Sequence, residues 1–286
     1  MLLVFRETKR WLSWAVLWTV VRCLTVATVF AHGGVHERID AVNRKIANDP
    51  GNAKLYLDRG ELHASHGDFQ SAYADYQLAK TLAPKLSEVD LYVGMLFAKK
   101  EEWQRAETNL SRFIKKQPKH AKARIERAAV YFKLNKTPQA VDDLSSAIVL
   151  GVASPKLYVQ RAEWVASLGP QSFDRALAGI DDGLKALGPV VSLMRFAIDL
   201  ERKRGNYKKA LERVQSLPQK MRTSPHGLVL KGDLLLESQK RQDAIMAYQS
   251  ALAALEALPA ARKRAPAMAE LRAELLRKLK SAKKSP

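Results

Sequence analysis

The sequence predicts an all-helical fold built from repeated pairs of helices. Pairs of small residues recur along the chain, and a bulky or branched residue stands one helical turn after each pair. A small residue lets two helices cross closely, and the large residue one turn later fills the space beside the crossing. The first three pairs share a fixed period of about 34 residues, and a period of this length indicates stacked repeats. The pairs are Gly60 with Ala72, Gly94 with Ala106, Ala128 with Ala140, Ala162 with Ala176, Ala197 with Ala210, and Gly232 with Ala244.

Residues 1–31 are predicted to be an export segment. Basic residues precede the stretch Trp11–Ala31, which is apolar except for Arg22 and a few hydroxyl residues. This layout is typical of a signal peptide cleaved after Ala31, and the alternative is an uncleaved membrane anchor, since the stretch is long enough to span a bilayer. Arg22 favours cleavage, because an Arg near the middle of a span costs about 2.5–3.5 kcal/mol. Both alternatives place the rest of the chain in the periplasm or cell envelope.

Residues 32–51 are predicted to form a linker and a leading helix over about Glu37–Asn48, because Pro50 precedes Pro84 by the same repeat period. Cleavage after Ala31 would make His32 the first residue, and its amine and imidazole, with His36 nearby, could chelate a metal such as copper. No complete ligand set with metal-site spacing is visible in the sequence. The sequence therefore predicts no metal and no cofactor, and leaves His32 and His36 as an alternative.

The first repeat, residues 53–84, carries the most recognisable motif. Tyr56 and Gly60 are followed by His63, by the turn sequence Gly67-Asp68-Phe69, and by Ala72, Tyr76, Ala79 and Pro84. This pattern resembles the tetratricopeptide repeat (TPR) family, although Arg59 stands where Leu is usual. The resemblance covers residues 37–258 and implies a right-handed superhelical solenoid of antiparallel helix pairs, with about six units over 52–258.

The fourth and fifth repeats depart from this regular pattern. Their small residues, Ala162 with Ala176 and Ala197 with Ala210, lie further apart along the chain than the paired residues of the other repeats. Gly169-Pro170-Gln171 and Gly205-Asn206 lie between the paired helices of these repeats. We therefore expect both repeats to have longer internal turns.

Residues 259–286 are predicted to form a basic C-terminal capping helix and tail. Met268, Leu271, Leu275 and Leu279 recur every three to four residues on one helical face. The end of a repeat array needs a helix that covers its apolar face, which favours a cap. The alternative is contact with an anionic membrane surface, since a basic amphipathic helix can lie among lipid headgroups.

The net charge of +19 is the strongest compositional signal. Residues 1–31 carry +3, residues 259–286 carry +7, and the repeats carry the remaining +9. One basic ridge crosses the second and third repeats, but Glu126 interrupts it and no aromatic residues alternate with its charges, so nucleic acid is not predicted as a partner. The ridge consists of Arg112, Lys115, Lys116, Lys119, Lys122, Arg124 and Arg127.

The sequence contains no recognisable catalytic motif. It has no Gly-rich phosphate loop, no zinc-type Cys or His spacing and no nucleophile elbow. Its one cysteine, Cys23, lies within the export segment, so a cleaved chain would form no disulfide. We therefore expect neither an enzyme nor a small-molecule substrate.

The resemblance implies a binding function, because the first helix of each TPR unit lines a concave groove. An apolar groove floor with scattered charges suits an extended peptide or a partner helix. Leu57, Glu61 and Tyr92 stand where a carboxylate-binding clamp would need polar or basic residues. We expect a protein-binding scaffold in the cell envelope; the alternative is an accessory factor for envelope metal or anionic-lipid processes. The candidate groove residues are Leu57, Glu61, Leu91, Met95, Ile125, Phe132, Val159, Met194 and Ile198.

Overall fold

The computed structural model describes residues 34–284, and every regular element among them is helical. The predicted export segment and His32 lie outside the described residues. The chain divides into two compact units, Met1–Leu134 and Asn135–Pro286, which we call the N-terminal and C-terminal units. None of the helices in the described part of the chain is both long and apolar enough to cross a membrane.

The N-terminal unit contains the leading helix and the first five repeat helices. Residues 34–48 are helical and form α1, which starts slightly before the predicted Glu37. The others are α2 (Ala53–His66), α3 (Phe69–Leu82), α4 (Glu88–Lys99), α5 (Trp103–Lys116) and α6 (Ala121–Lys133). Each helix from α2 to α5 packs against the next one along the chain. The first repeat is the pair α2–α3, and the second is the pair α4–α5.

The turn of the first repeat shows why these helices stop and start where they do. Gly67 ends α2 in the left-handed conformation, with a φ of 88°, a region that glycine adopts without steric cost. Asp68 then caps α3, because its side chain accepts a hydrogen bond from the Ser71 backbone N–H at 3.0 Å. The turn predicted at Gly67-Asp68-Phe69 is confirmed.

A residue with positive φ recurs in the turn inside every repeat. The first three positions follow one another at the repeat period, and only three of the six are glycine. Where the residue is not glycine, the L side chain is held in a conformation that costs about 1–2 kcal/mol. The six residues, with their φ angles, are Gly67 (88°), Glu101 (59°), Asn135 (59°), Gly169 (114°), Gly205 (75°) and Gln239 (63°).

The predicted small pairs mark close helix crossings. A Cβ atom added to Gly60 would lie 2.4 Å from a ring carbon of Tyr76 and 3.2 Å from the Ala72 carbonyl oxygen. A Cβ atom on Gly94 would lie 2.8 Å from Cγ of Leu110. The glycine therefore gives room to the bulky residue one turn after its partner, and that residue fills the crossing as predicted.

Arg59, which departs from the usual TPR pattern, has a structural partner. Its Nε and Nη2 atoms donate to the two carboxylate oxygens of Asp75 at 2.9 and 2.6 Å. Asp75 is buried on α3, so the ion pair joins the two helices of the first repeat. A bidentate ion pair of this kind offsets the free-energy cost of removing the Asp75 carboxylate from water.

The C-terminal unit contains the remaining helices of the described chain. The helices are α7 (Thr137–Val149), α8 (Pro155–Ala166), α9 (Phe173–Leu187), α10 (Val191–Lys203), α11 (Tyr207–Ser216), α12 (Gln219–Arg222), α13 (Pro225–Glu237), α14 (Arg241–Glu256), α15 (Ala260–Lys263) and α16 (Pro266–Lys284). The paired helices of the last three repeats, α8–α9, α10–α11 and α13–α14, pack on each other, and neighbouring repeats pack through α7–α8, α9–α10 and α11–α13.

The internal turns of the fourth and fifth repeats differ from each other. In the fourth, a 3₁₀ turn at Pro170–Ser172 lengthens the connection, so this prediction is confirmed. In the fifth, Gly205 lies directly between the C-cap residue of α10 and the N-cap residue Asn206, as Glu101 does in the second repeat. The prediction of a longer turn there is wrong. The additional residue lies within α10, between Ala197 and the turn.

Buried charge also joins helices in the fifth repeat. The side chain of Glu201 on α10 is 1% exposed, and its carboxylate lies 2.9 Å from Nε of Arg204 and 3.6 Å from Nε of Arg213. Arg213 on α11 in turn donates to both oxygens of Asp181 on α9, at 2.7 and 2.9 Å. Three consecutive helices are therefore held together by ion pairs as well as by apolar packing.

The C-terminal helix α16 covers the last repeat, which confirms the predicted cap. Leu271 and Leu275 are buried in one cluster with α14, and Met268 and Leu279 pack against the same cluster. Asp233 on α13 accepts hydrogen bonds from the Tyr248 hydroxyl at 2.7 Å and from Lys278 at 2.6 Å. The apolar face of α16 is thus occupied within the chain.

Candidate functional site

The first helices of the N-terminal unit, α2, α4 and α6, present one continuous face, which we call the first-helix face. Leu57 and Leu91 lie at equivalent positions in α2 and α4, and both side chains are buried in the core. They contribute packing rather than an accessible floor. Glu61 is exposed, whereas Met95, Ile125 and Phe132 are partly buried and keep some solvent access.

The remaining candidates belong to the C-terminal unit and differ in burial. Val159 on α8 is partly buried, but Met194 and Ile198 on α10 are in the core. Met194 lies three residues before its small residue, as the buried Leu57 and Leu91 do, whereas the burial of Ile198 follows from the additional residue within α10. In every other repeat the small residue precedes the positive-φ turn residue by seven positions, and Ile198 occupies that position before Gly205. One residue rotates a helix by about 100°, which turns Ile198 inward.

Three carboxylates surround one tyrosine on the first-helix face. We call Asp58 and Glu61 of α2 and Glu88 of α4 the acidic patch. Burial raises the pKa of the Tyr92 hydroxyl above its usual value, and the negative charges of the patch raise it further. The first-helix face therefore carries negative charge beside an aromatic ring.

A surface cavity of about 490 Å³ adjoins the acidic patch, where α1 crosses α2. Asp58 and Glu61 line one side of it, and Arg38 and Lys45 of α1 line the other. Its wall also includes Leu62, which is buried. A cavity with carboxylates, ammonium and guanidinium groups and a partly apolar wall can bind a polar side chain next to an apolar one.

The apolar part of the face extends from this patch along α4 and α6. The rings of Tyr76 and Tyr92 lie 5.7 Å apart, so Tyr92 rests on the core residue that fills the first helix crossing. Met95 packs against the same core cluster while remaining partly exposed. Such a surface offers apolar contact area supported by a rigid core.

Most cations of the predicted basic ridge are engaged within the protein. Arg112 and Lys116 both bind the buried carboxylate of Asp90. Arg124 donates to the Pro118 carbonyl oxygen, and Arg127 donates to the Ser111 hydroxyl. The remaining ridge lysines, Lys115, Lys119 and Lys122, are exposed.

The histidines of the first repeat have protein neighbours. The imidazole rings of His36 and His66 lie 5.2 Å apart, edge to face. Nδ1 of His63 lies 3.6 Å from the Asp68 carboxylate. Residues 34–284 contain no group of three or more His, Cys, Asp or Glu side chains arranged to hold a metal ion.

Antiparallel helix pairs, each with a small residue at the crossing and a positive-φ residue in the turn, define a helical-repeat protein. Within that array, residues 94–156 match the tetratricopeptide repeat family model. That segment begins at Gly94 and contains most of the second and third repeats. The repeat type inferred from the residues of the first repeat is therefore confirmed in the two that follow it.

Relatives and solved structures agree with this repeat type. The chain is 26% identical over 135 residues to Tetratricopeptide repeat protein 16 of Homo sapiens, a match that covers 45% of this chain and 16% of the human protein. The match to the Mus musculus protein has the same identity and covers 18% of it. The chain thus spans less than a fifth of these relatives.

Two solved structures share the fold. The C-terminal part of a TPR protein from Cytophaga hutchinsonii superposes with a TM-score of 0.62 at 14% identity, covering 80% of this chain and 93% of that one. YrrB, a TPR protein with an unusual peptide-binding site, superposes with a TM-score of 0.52 at 17% identity, covering 74% and 99%. At this level of identity the likeness concerns the fold alone.

Sequence reasoning missed Asp58 and Glu88 as members of the site. Asp58 and Tyr92 are separated by one repeat period and therefore occupy equivalent positions in α2 and α4. The repeat period could therefore have placed Asp58 on the first-helix face with Tyr92. It gives no such signal for Glu88, because Lys54 stands one period before it.

Proposed function

We propose that this protein is a non-enzymatic scaffold that binds a protein partner on the first-helix face of its N-terminal unit. The arrangement of the acidic patch around Tyr92, beside the partly exposed Met95 and Ile125, is the observation that carries the proposal. TPR-type repeats are typical of protein–protein interaction, and YrrB shows that one protein of this fold has a peptide-binding site. An extended peptide or a helix is the partner whose shape fits a row of parallel first helices.

The chemistry of the face suggests what such a partner carries. Carboxylates at Asp58, Glu61 and Glu88 attract a Lys or Arg side chain, and Tyr92 adds an aromatic surface that favours a cation. Met95 and Ile125 offer apolar contact area. The expected ligand therefore combines a basic residue with apolar residues a few positions away. A free C-terminal carboxylate is disfavoured, because the patch would repel it.

The test is affinity capture of the partner from the membrane-associated fraction, followed by titration of the captured partner with purified variants. Glu61→Lys reverses one charge of the acidic patch, and Met95→Glu places a charge on the apolar part. Their matched controls are Asp142→Lys, an exposed carboxylate on α7, and Leu78→Glu, an exposed apolar residue on α3. Each control makes the same kind of change outside the first-helix face.

Each face variant is expected to weaken binding by at least about tenfold, the effect of losing roughly 1.4 kcal/mol at a central contact. Both controls should bind like the wild-type protein. Circular dichroism should show the same helicity in all four variants. Equal affinity for wild type and face variants would remove the first-helix face from the binding reaction.

We also propose that the chain is exported and acts in the cell envelope, with residues 11–31 directing export. The support is the sequence of this segment, with its basic start, its apolar run and Val29-Phe30-Ala31 before a polar junction. The expected mature N-terminus is His32. Mass spectrometry of the protein from cell fractions tests this, and an intact N-terminus on a protein that resists extraction from membranes would support an anchor instead of cleavage.

The alternative function, an accessory role in metal or anionic-lipid processes, is less well supported. Insertion of α16 among lipid headgroups would need its apolar face, and Leu271 and Leu275 of that face are already packed on the last repeat. A role for the protein in metal chemistry would need ligands beyond the His36–His66 pair.

A further inference from the structure

A second surface of the N-terminal unit lies on the side of the second helices. The helices α3 and α5 flank a cleft whose floor is α4, and we call this the outer cleft. It consists of two adjoining cavities of about 430 and 400 Å³ that share Tyr73, Phe97 and Arg105. The residues of α4 that form its floor, such as Val89 and Phe97, differ from those that α4 contributes to the first-helix face.

The floor of the outer cleft is aromatic. The rings of Tyr73 and Phe97 lie 5.8 Å apart, and Phe97 is held in the core with 3% of its surface exposed. Tyr73 is 36% exposed, so its ring can be reached from solvent. The guanidinium carbon of Arg105 lies 3.8 Å from the centre of the Phe97 ring. The Tyr73 ring is therefore accessible between the two helices, and the buried Phe97 ring, covered by Arg105, supports it from the core.

The rim of the cleft carries an excess of positive charge. Four cations line the two cavities, Lys80, Lys100, Arg105 and Arg112, against one carboxylate, Asp90. Asp90 binds Arg112 and also Lys116, and Arg105 and Lys100 both bind Glu102 beside the cleft.

The two rim arginines retain donor groups for a ligand. The side chains of Arg105 and Arg112 are 56% and 54% exposed, and each binds its carboxylate through Nη1. A guanidinium has further N–H groups beyond those on Nη1, and an incoming carboxylate can accept from them.

We propose that the outer cleft binds an acidic peptide segment of a partner protein, with an aromatic or large apolar side chain of that segment resting on Tyr73. The charge excess of the rim selects carboxylates, and the aromatic floor selects the apolar residue between them. An extended chain fits the space between two helices, whereas the flat surface of a membrane would contact the rim without reaching the floor. This surface is independent of the first-helix face.

The probe is a fluorescein-labelled peptide with a central Phe flanked on both sides by Glu residues, titrated against the purified protein and followed by fluorescence anisotropy. Two further peptides replace the central Phe by Ala, or all Glu residues by Gln. The cleft variant is the double substitution Tyr73→Ala with Lys80→Glu. Its matched control is Leu78→Ala with Lys115→Glu, which removes an exposed apolar side chain from α3 and reverses one charge on α5 outside the cleft.

The Glu–Phe peptide is expected to bind, and the cleft variant should weaken it by at least about tenfold while the control variant changes its affinity less than about twofold. Replacing Phe by Ala, or Glu by Gln, should each weaken binding to the wild-type protein. A peptide with a photoreactive benzophenone at the Phe position should crosslink to α3, α4 or α5. Thermal midpoints of both variants should lie close to that of the wild type, because the substituted side chains are at least partly exposed.

Several results would overturn the proposal. Failure of the wild-type protein to bind the Glu–Phe peptide would do so, as would equal losses in the cleft and control variants, which would indicate diffuse charge attraction. Crosslinks confined to α2 or α6 would assign the peptide to the first-helix face. The cleft would be a nucleic-acid site if a single-stranded oligodeoxythymidine displaced the peptide and if the cleft variant, with Tyr73 and Lys80 substituted, bound that oligonucleotide as weakly as it binds the peptide. Self-association lost in the cleft variant would make a second copy of this chain its occupant.

Discussion

Replacing Glu101 by glycine is expected to stabilise the N-terminal unit, although the substitution removes a whole side chain. Glu101 lies in the turn between α4 and α5 with a φ of 59°, and its side chain is exposed. The equivalent residue in the first repeat is Gly67, with a φ of 88°. The first repeat thus already contains the residue that this conformation favours, and the second does not.

The size of the effect follows from two opposing contributions. Holding an L residue in the left-handed region costs about 1–2 kcal/mol, and glycine removes this cost. Glycine also gains more freedom in the unfolded chain, which destabilises the folded state by about 0.5–1 kcal/mol. The net gain expected for Glu101→Gly is therefore about 0.5–1 kcal/mol, the difference between these two contributions. The reverse change, Gly67→Ala, should destabilise by a similar amount.

Urea unfolding followed by circular dichroism measures both free energies. Gly67 is a clean site for the reverse change, because a Cβ atom there would meet nothing within 4 Å, so the backbone conformation alone is tested. Gly51→Ala is the matched control, since its Cβ atom would also enter open space and its φ is not positive. A loss of stability in Glu101→Gly, or a Gly67→Ala variant as stable as Gly51→Ala, would refute the reasoning.

Three further predictions concern packing and charge. Gly60→Ala should destabilise by about 1–3 kcal/mol in thermal unfolding, because its Cβ atom would lie 2.4 Å from the buried Tyr76 ring; an unchanged midpoint would mean that the crossing can expand. Leu275→Ala should cost about 2–5 kcal/mol, since this side chain is fully buried between α16 and the last repeat, whereas the exposed Leu276→Ala should cost much less. Hydrogen bonds from the side chain and the backbone N–H of Ser71 lower the pKa of Asp68 below its usual 3.8. Because the pKa of Asp68 is lower in the folded than in the unfolded state, its ionised carboxylate stabilises the folded state at pH values above the unfolded pKa, and this stabilisation is lost as the pH falls through the folded pKa. The free energy of unfolding of the wild type relative to that of Asp68→Asn should therefore be constant above about pH 5 and decline below about pH 4. A constant difference down to about pH 2 would contradict the assignment of this cap.

The fold was predictable from sequence where residue type alone determines geometry. Gly60 and Gly94 stand out because only a small residue allows Tyr76 and Leu110 to enter the crossing. Glu101 gave no comparable signal, because nothing about a glutamate indicates a positive φ; the repeat period, counted from Gly67, was the only indication. Sequence therefore predicted the helix pairs and their order more completely than the strain in their turns.

The candidate site was predictable only in part, because a groove position depends on rotation about the helix axis as well as on spacing. Glu61 and Met95 keep access to solvent, but Leu57 and Leu91 turn into the core. In α10 one additional residue before Gly205 was enough to bury Ile198. Counting from the turn residue instead of the small residue would have corrected that register. The outer cleft depends on side chains from three helices, and no pattern within one helix predicts it.

The C-terminal helix also affects how two molecules could stack end to end. A repeat array that ends in an uncovered apolar face can stack on a second molecule and continue it, end to end. Here Leu271 and Leu275 close that end from within the chain, and the outer side of α16 presents Arg272 and Arg277 to solvent. Two molecules meeting through α16 would bring Arg272 and Arg277 of each close together, with no exposed apolar face to hold them. The packing of α16 on the last repeat therefore disfavours end-to-end stacking through this helix.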